Sequence, residues 1–331
     1  MKNVVVLGAG SFGTALAAVV AERGLNVSLW GRDPEVVRGI NEHHRNDNYL
    51  SDIELPERIK ATTDLACCED ADLLIVAIPS KFFRQVCEDA AQYGIPPHCV
   101  TLSATKGIEL SSGKRMTELL REIFPENVAA VVSGPSHAEE LARKLPTALV
   151  VGCADEAIAK QLQGLLTQPF LRSYTSNDVV GIEFGGTVKN IAAIAGGIVE
   201  GLGLGDNAKA ALVTRGLAEM VRLGVAKGAN PETFMGLSGV GDLMVTCFSD
   251  YSRNTRVGRL LGKGSSLAEI QSQTNMIAEG VPNTESVYQF AQKNGIRAPI
   301  TEMLHAVLNN QVSPKDAAQQ LFARSPRSET D

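Results

Sequence analysis

Short apolar runs alternate with helical patterns through the first half of the chain. Six strand-like runs occur there, at residues 2–7, 26–30, 73–78, 99–103, 128–132 and 148–152. A turn and a helical segment follow most of these runs, as in βαβ units. This alternation predicts an α/β domain with a parallel, doubly wound sheet of the Rossmann type.

The pattern changes from about Asn177, where strand-like runs stop and helical periodicity takes over. Ser313-Pro314 is typical of a helix start, Asn283 is a second candidate start, and Asn294-Gly295 is a candidate end. We therefore predict an all-α second domain. The expected boundaries are 1–178 for the Rossmann-like domain, 179–324 for the helical domain, and 325–331 for a polar, disordered tail.

A glycine-rich turn connects the first strand to the first helix. Gly8-Ala-Gly10-Ser-Phe-Gly13 follows the strand at residues 2–7 and opens a helical run. In that context Gly8 makes the tight turn, Gly10 lets the backbone approach a pyrophosphate, and Gly13 allows close helix-on-strand packing. The helix N-terminus offers free N–H groups to phosphates. We predict a dinucleotide site here, covered by the irregular polar loop at 45–58; an ordinary glycine-rich turn is the alternative.

The residues after the second strand bear on which dinucleotide binds. An NAD site usually has an acidic side chain about 20 residues past the glycines, on the ribose hydroxyl. Arg32 stands there in this chain, and Asp33 precedes Pro34 as in a helix N-cap. Since Arg32 can bind a 2′-phosphate, NADPH is favoured over NADH. Asp33 could still reach a ribose, so NADH stays open.

Lys189 is a single cation in the small and apolar helical stretch 183–199. Its neighbours three and four residues away are Gly185, Gly186, Ala192 and Ala193, so its helix face carries little side-chain bulk. Glycine in a helix costs about 1 kcal/mol relative to alanine, which close approach of a backbone or a ligand would justify. A partly desolvated lysine suits proton transfer to a reacting oxygen. A snorkelling structural lysine is the alternative.

Further polar residues follow glycine-rich segments of the helical half. Three glycines precede Asp242, and Ser252-Arg253-Asn254 opens a helical pattern, an arrangement suited to an oxyanion or a phosphate. The alternatives are plain N-caps at Asp242 and Ser252, and a capping box from Ser136 to Glu139. Together with Lys106 and Lys189, these residues predict a small phosphorylated substrate.

Composition narrows the function classes. The chain has 331 residues, 44% of them hydrophobic, and a formal net charge of −6, which argues against a nucleic-acid partner. Its six cysteines lack the Cys-x-x-Cys spacing, so we expect reduced thiols in a cytoplasmic protein and no metal site. No signal-peptide pattern is present, and the longest uncharged apolar run, 191–199, is too short to span a bilayer. We expect no integral membrane segment, and the choice between a monomer and a homodimer stays open.

Several separate motifs resemble the bacterial NAD(P)-dependent glycerol-3-phosphate dehydrogenases over nearly the whole chain. These motifs are Gly8-Ala-Gly-Ser-Phe-Gly-Thr-Ala15, Ala77-Ile-Pro-Ser80, Ala104-Thr-Lys-Gly-Ile-Glu109, Ser133-Gly-Pro-Ser136, Val188-Lys-Asn-Ile-Ala-Ala193, Gly239-Val-Gly-Asp-Leu243, Thr246-Cys247 and Ser252-Arg-Asn-Thr255. Three positions depart from the family pattern: His137 stands where many relatives carry an aromatic residue, Phe248 where many carry threonine, and Lys144 where glycine is common.

The resemblance implies reduction of dihydroxyacetone phosphate by NADPH or NADH to sn-glycerol 3-phosphate, a phospholipid precursor. It assigns proton transfer to Lys189, with Asp242 orienting the amine. The implied substrate contacts are Lys106, Gly134, Ser136, Lys189, Asp242, Ser252, Arg253 and Asn254. The implied cofactor contacts, beside the three glycines, are Ser11, Phe12, Arg32, Tyr49, Lys106, Ala138, Arg253, Ile277 and Glu279.

Two other functions stay open from the sequence. A β-hydroxyacid dehydrogenase has the same two-domain plan and would act on hydroxy acids without phosphate. A non-catalytic NADP(H)-sensing module would bind the cofactor without turning over a ketone, although the charged set of Lys106, Lys189 and Arg253 argues against it.

Overall fold

The first half of the chain forms an eight-stranded sheet with helices on its faces. The computed structural model describes residues 1–272, 278–326 and 328–329. The strand order is β3-β2-β1-β4-β5-β6-β7-β8. The elements are β1 (Asn3–Leu7), α1 (Ser11–Ala21), β2 (Asn26–Trp30), α2 (Pro34–His43), β3 (Ile59–Thr62), β4 (Leu73–Val76), α3 (Phe83–Ala91), β5 (Val100–Ser103), α4 (Met116–Ile123), β6 (Ala129–Ser133), α5 (Ala138–Ala142), β7 (Thr147–Gly152), α6 (Glu156–Leu166) and β8 (Leu171–Ser176).

The predicted Rossmann-type sheet is confirmed, with two differences. Strands β3 and β8 were not expected, because Ile59–Thr62 is short and Leu171–Ser176 alternates with polar residues at the sheet edge. The expectation of a wholly parallel sheet is wrong at β7, which pairs antiparallel with β6. No helix long enough for a crossover separates these two strands, since α5 spans only Ala138–Ala142. Strands β1 to β6 are parallel, so their carboxyl ends meet at one edge of the sheet.

The second half is helical, as predicted. Its helices are α7 (Val179–Gly201), α8 (Asp206–Val225), α9 (Asp242–Phe248), α10 (Arg253–Gly262), α11 (Leu267–Ser272), α12 (Gly280–Lys293), α13 (Pro299–Leu308) and α14 (Pro314–Phe322), with a 3-10 turn at Pro231–Met235 and a π turn at Leu237–Gly241. None of the helices within the described ranges is long and apolar enough to cross a membrane.

Local capping rules account for most of the helix ends. Asp33 and Ser313 cap α2 and α14, each followed by proline, as the sequence predicts. Asn294 follows the last residue of α12, and Gly295 has a φ of 63°. The prediction that Asn283 starts a helix is wrong. It lies one turn inside α12, and its side-chain amide donates to the carbonyl of Lys106 at 3.2 Å.

The long loop after α2 is irregular, as expected, and packs on the glycine-rich turn. The buried side chain of Asn46 donates to the carbonyl of Ala9 at 3.0 Å and to Thr14 Oγ1 at 2.8 Å. Lys144, at the position where the family resemblance implies glycine, has a left-handed φ of 59°. The domain boundary at 178 stays a prediction. The disorder expected for 325–331 also stays a prediction, and residues 327, 330 and 331 of that tail lie outside the described residues.

Helix α7 is the central helix of the second half, and almost all of its residues are buried. Its glycines permit close approach of other backbones. A Cβ built at Gly185 would lie 2.3 Å from the carbonyl oxygen of Ser238, and one at Gly197 would lie 2.3 Å from that of Thr255 in α10. Backbone packing, rather than a ligand, therefore explains these two glycines.

The neighbouring glycines of α7 provide a matched test of this packing. Gly197→Ala should lower the free energy of unfolding by about 1–3 kcal/mol, because α7 and α10 must separate. Gly196→Ala should be neutral or stabilising by up to about 1 kcal/mol, since no atom lies within 4 Å of a Cβ at Gly196. Urea unfolding of both variants is the measurement. Equal effects would contradict the inferred close approach.

Candidate active site

A buried carboxylate shared by two lysines lies where the sheet meets the helical half. Asp242, the first residue of α9, accepts from Lys189 Nζ at 2.5 Å through Oδ1 and from Lys106 Nζ at 2.7 Å through Oδ2. Asp242 is 1% exposed and Lys189 is 6% exposed. The snorkelling alternative for Lys189 is therefore wrong. The N-cap alternative for Asp242 is also wrong, because its carboxylate is engaged by the two amines.

Burial and charge act on these groups in opposite directions. Burial lowers the pKa of Lys189 to about 8; Asp242 opposes this shift and the Lys106 ammonium adds to it. Burial by itself would raise the pKa of Asp242, but the two ammonium groups outweigh it and hold that pKa below its usual value. At neutral pH the three groups carry a net positive charge in a site largely shielded from water. Such a site stabilises negative charge that develops on an oxygen.

Two residues of this cluster were missed by the sequence analysis. Thr246 Oγ1 accepts from Lys189 Nζ at 2.7 Å and donates to the carbonyl of Asp242 at 2.6 Å. Asn190, which follows Lys189, accepts from the side-chain amide of Asn254 at 2.9 Å. The four-residue spacing of Asp242 and Thr246 on a helix could have indicated that these two residues lie together. The contact between Asn190 and Asn254 joins α7 to α10, and no local pattern indicates it.

The loop between β6 and α5 forms one wall of the site. Gly134, with a φ of 129°, accepts at its carbonyl from Lys106 Nζ at 3.2 Å and from Ser136 Oγ at 2.9 Å. The predicted capping box from Ser136 is wrong, because its hydroxyl is bound to Gly134 and α5 begins two residues later, at the buried Ala138. Two candidate substrate residues are thus held next to Lys106.

The N-terminus of α10 faces the glycine-rich turn. Ser252 caps the helix through a bond from the Thr255 N–H at 3.1 Å, as the N-cap alternative predicts. Arg253 reaches across to the sheet half and donates to Ser11 Oγ at 2.8 Å. Asn254 is partly engaged, since its Oδ1 accepts from the Gly280 N–H at 2.9 Å in addition to its bond with Asn190.

The glycine-rich turn has the geometry that the motif predicts. Gly8 has a φ of 119°, and a Cβ there would lie 2.5 Å from the carbonyl oxygen of Ala77. A Cβ at Gly13 would lie 1.9 Å from the carbonyl oxygen of Gly8. Gly10, by contrast, has no atom within 4 Å of a Cβ position, so the space before α1 is open to a ligand. The Phe12 ring lies 5.9 Å from Lys106 Nζ.

The other candidate cofactor residues lie at several points along this edge. Arg32 is exposed, and its guanidinium lies 5.6 Å from the Phe82 ring centroid, apart from the Lys189 cluster. The carbonyl of Tyr49 accepts from Ser11 Oγ at 3.3 Å. Glu279 Oε2 accepts from Ser80 Oγ at 2.6 Å; burial raises the pKa of Glu279, against the opposing effects of Ser80 and Arg253. Ile277 lies outside the described residues.

No group of three or more histidine, cysteine or acidic side chains that could hold a metal ion occurs within 1–272, 278–326 and 328–329. The cluster instead combines one carboxylate with two ammonium groups, a donor-rich set that suits an anionic ligand.

Comparisons with known proteins agree over the whole chain. The family models for the N-terminus and the C-terminus of NAD-dependent glycerol-3-phosphate dehydrogenase match residues 3–159 and 178–319. Curated relatives named glycerol-3-phosphate dehydrogenase [NAD(P)+] include one from Lysinibacillus sphaericus, 46% identical with 100% of this chain and 99% of the relative covered. Another, from Bacillus subtilis, is 45% identical with 100% and 97% covered.

A solved structure supports the same assignment. The crystal structure of glycerol-3-phosphate dehydrogenase from Coxiella burnetii superposes with a TM-score of 0.94 at 38% identity and covers 98% of this chain and 99% of that one. Both halves of the chain match one family, in sequence and in fold. The chain belongs to the NAD-dependent glycerol-3-phosphate dehydrogenase family.

Proposed function

We propose that this chain transfers hydride reversibly between NAD(P)H and dihydroxyacetone phosphate, giving sn-glycerol 3-phosphate for glycerophospholipid synthesis. The observation that carries the proposal is the buried Asp242 carboxylate shared by Lys106 and Lys189. This donor-rich cluster lies beside an open glycine-rich turn, so an anionic ketone and a dinucleotide could meet there. Family membership favours this activity over a β-hydroxyacid dehydrogenase or a non-catalytic sensor.

The residues at the turn fit a dinucleotide. The open space at Gly10 and the free N–H groups expected in the first turn of α1 suit a pyrophosphate. Ser11, Phe12, Tyr49, Ala138, Glu279 and Ile277 complete the proposed cofactor set, with Lys106 and Arg253 shared with the substrate. The cofactor supplies the hydride when bound, and the protein binds, orients and protonates the ketone.

Lys189 is the proposed proton donor. As an ammonium it can donate to the ketone oxygen, where negative charge develops, while Asp242 fixes the direction of the amine. Lys106 supplies a second positive charge beside the same carboxylate. Thr246 accepts a further Nζ hydrogen bond and so restricts the position of the amine.

The phosphate site proposed for the substrate is the N-terminus of α10, with Ser252, Arg253 and Asn254. Backbone N–H groups and a guanidinium together favour a dianion. Gly134 and Ser136 would contact the same substrate from the opposite wall. Binding the remote phosphate would position the carbonyl carbon for hydride transfer.

NADPH is the proposed preferred cofactor, because Arg32 is exposed two residues after the end of β2. The carboxylate of Asp33 is engaged as the cap of α2 and accepts from the Glu35 N–H at 3.0 Å. The cytoplasmic location and the absence of a nucleic-acid partner stay predictions, and the choice between monomer and homodimer stays open.

The direct test is the loss of NADPH or NADH absorbance with dihydroxyacetone phosphate, beside unphosphorylated ketones and hydroxy acids. Turnover restricted to the phosphorylated ketone is expected. Oxidation of hydroxy acids alone, or cofactor binding without any turnover, would overturn the proposal.

The lowered pKa of Lys189 predicts the direction in which the reduction rate changes with pH. Ketone reduction needs the protonated amine, so kcat/KM for reduction should fall as pH rises through about 8.

Lys189→Met, which keeps the stem's volume, should lower turnover by about 10²- to 10⁴-fold and abolish this fall of kcat/KM at high pH. Single-turnover hydride transfer across pH is the measurement, with thermal unfolding as the control. If Lys189→Met transfers hydride at nearly the wild-type rate, Lys189 has only a structural role.

Arg253→Ala tests the phosphate site. With NADPH kept saturating, so that the proposed cofactor contact of Arg253 does not limit the rate, loss of the charge-assisted contact should lower kcat/KM for dihydroxyacetone phosphate by roughly 10- to 100-fold and barely affect unphosphorylated dihydroxyacetone. Arg256 is an exposed arginine on the same helix, and Arg256→Ala is the matched control. It should change the kcat/KM value of neither ketone. Equal losses of Arg253→Ala on both ketones would indicate that Arg253 serves the cofactor or the fold.

Arg32→Ala tests cofactor choice. Removal of the guanidinium should raise the Michaelis constant for NADPH more than that for NADH, since only NADPH carries the 2′-phosphate. Initial rates with both cofactors at saturating ketone measure the two constants. Arg32 has no 2′-phosphate role if both constants change by the same factor.

A further inference from the structure

Asn283 is a fully buried polar side chain that the proposed mechanism does not use. It lies one turn inside α12 and is 0% exposed. Its Nδ2 donates to the Lys106 carbonyl at 3.2 Å, whereas its Oδ1 is buried and has no hydrogen-bond partner among the described residues. A buried polar atom without a partner costs stability, so packing alone would favour an apolar side chain here. The amide therefore points to a function for its bond to Lys106.

The peptide that follows Lys106 is confined on two sides. A Cβ built at Gly107 would lie 2.6 Å from the Ser80 Cβ and 3.0 Å from Asn283 Oδ1. Ser80 is itself held from the helical half, since its Oγ donates to Glu279 Oε2 at 2.6 Å. Glu279 directly precedes α12 and lies four residues before Asn283, so one face of this helix contacts the loops after β4 and β5. These contacts fix the backbone of Lys106.

The side chain of Lys106 is confined as well. A Cβ built at Gly186 of α7 would lie 3.3 Å from Lys106 Cγ and 3.6 Å from its Cδ, so the stem runs along the bare face of that helix. Its Nζ donates to Asp242 Oδ2 at 2.7 Å and to the Gly134 carbonyl at 3.2 Å. Because the stem and the ammonium are both held, a shift of the backbone would draw the ammonium away from Asp242.

We propose that Asn283 is a positioning residue for the reaction: its hydrogen bond to the Lys106 carbonyl keeps the Lys106 ammonium on Asp242. The ammonium thereby stays beside Lys189, the proposed proton donor. This inference rests on the proposed function. Without the bond, Lys106 would pair with Asp242 for a smaller fraction of the time. Less positive charge would then face the oxygen on which negative charge develops.

The charge of Lys106 acts on the pKa of Lys189. Burial lowers that pKa to about 8, Asp242 opposes the shift, and the Lys106 ammonium adds to it. If Lys106 leaves the carboxylate, Lys189 loses a positive neighbour and no longer shares Asp242, so its pKa rises. Two other titratable groups interact with Lys189, His137 before α5 and Cys247 on α9. Burial lowers the pKa of His137 and raises that of Cys247 to about 12, so neither changes charge near pH 8.

The test removes the Asn283 donor in two ways. Asn283→Leu keeps a branched side chain without a donor, and Asn283→Ala removes the amide outright, so the test does not depend on the fit of leucine. Thr284→Val is the matched control: Thr284 is 1% exposed on the same helix, and its hydroxyl donates within α12, to the Gly280 carbonyl at 2.6 Å. The measurement is kcat/KM for dihydroxyacetone phosphate across pH with saturating NADPH.

Both Asn283 variants should lower kcat/KM at pH 7 by about 3- to 10-fold, as expected for the loss of one buried hydrogen bond. The pH at which kcat/KM falls should also move upward from about 8, by roughly half a pH unit, because the pKa of Lys189 rises. Thr284→Val should leave this pH unchanged. A loss of kcat/KM without the upward shift would make Asn283 a structural residue only and would overturn the proposal.

A double-mutant cycle with Lys106→Met separates action through Lys106 from any other effect. If Asn283 acts through this lysine, Asn283→Ala should lower the kcat/KM of Lys106→Met by less than about twofold. A further loss as large as that in the wild-type background would overturn the role of Asn283. Thermal unfolding and NADPH titration verify that each variant keeps the fold and the cofactor site. A wild-type protein that does not reduce dihydroxyacetone phosphate would instead overturn the proposed function, so the two failures are distinct.

Discussion

The shared carboxylate of Asp242 is the contact on which the site depends. It pairs with Lys106, 136 residues earlier in the chain, and with Lys189, 53 residues earlier. A buried carboxylate without a partner carries a desolvation cost of several kcal/mol, and so does each buried amine. The two amines therefore keep Asp242 charged, and Asp242 in turn favours the charged form of Lys189. The same contacts leave a net positive charge beside the open glycine-rich turn.

Close packing around α7 makes this arrangement possible. Glu183, one and a half turns before Lys189, accepts from the Thr117 N–H at 2.8 Å and pairs with Arg115, which fixes α7 against the start of α4. Ser286 of α12 donates to the carbonyl of Ile108 at 3.1 Å, and Asn283 holds the carbonyl of Lys106. The segments that carry Lys106 and Lys189 are thus held in place by contacts with α12 and with the start of α4.

Two further contacts join the halves at the proposed cofactor site. Arg253 of α10 bonds to Ser11 at the start of α1, and Glu279 bonds to Ser80 after β4. Arg253, Ser11 and Glu279 are proposed cofactor contacts, and Ser80 is bonded to one of them. Ligand binding would replace some of these hydrogen bonds by hydrogen bonds to phosphate. Substrate binding and cofactor binding would then depend on the same few side chains.

Local patterns in the sequence determined a large part of this protein. Alternating apolar runs and the turn at Gly8 predicted the sheet and its glycine geometry, because strand periodicity and backbone φ are local properties. The caps at Asp33 and Ser252 followed from the same local rules. The pattern around Lys189 also indicated a tightly packed, desolvated lysine. The structure places a backbone against two of the glycines on that helix.

Tertiary structure decided what local patterns do not contain. The pairing of Lys106 and Lys189 on one carboxylate, the contact of Asn283 with the Lys106 loop and the antiparallel turn of β7 all join segments distant in sequence. Such contacts arise from packing of whole elements, and the residues involved look like ordinary caps or surface groups when taken alone.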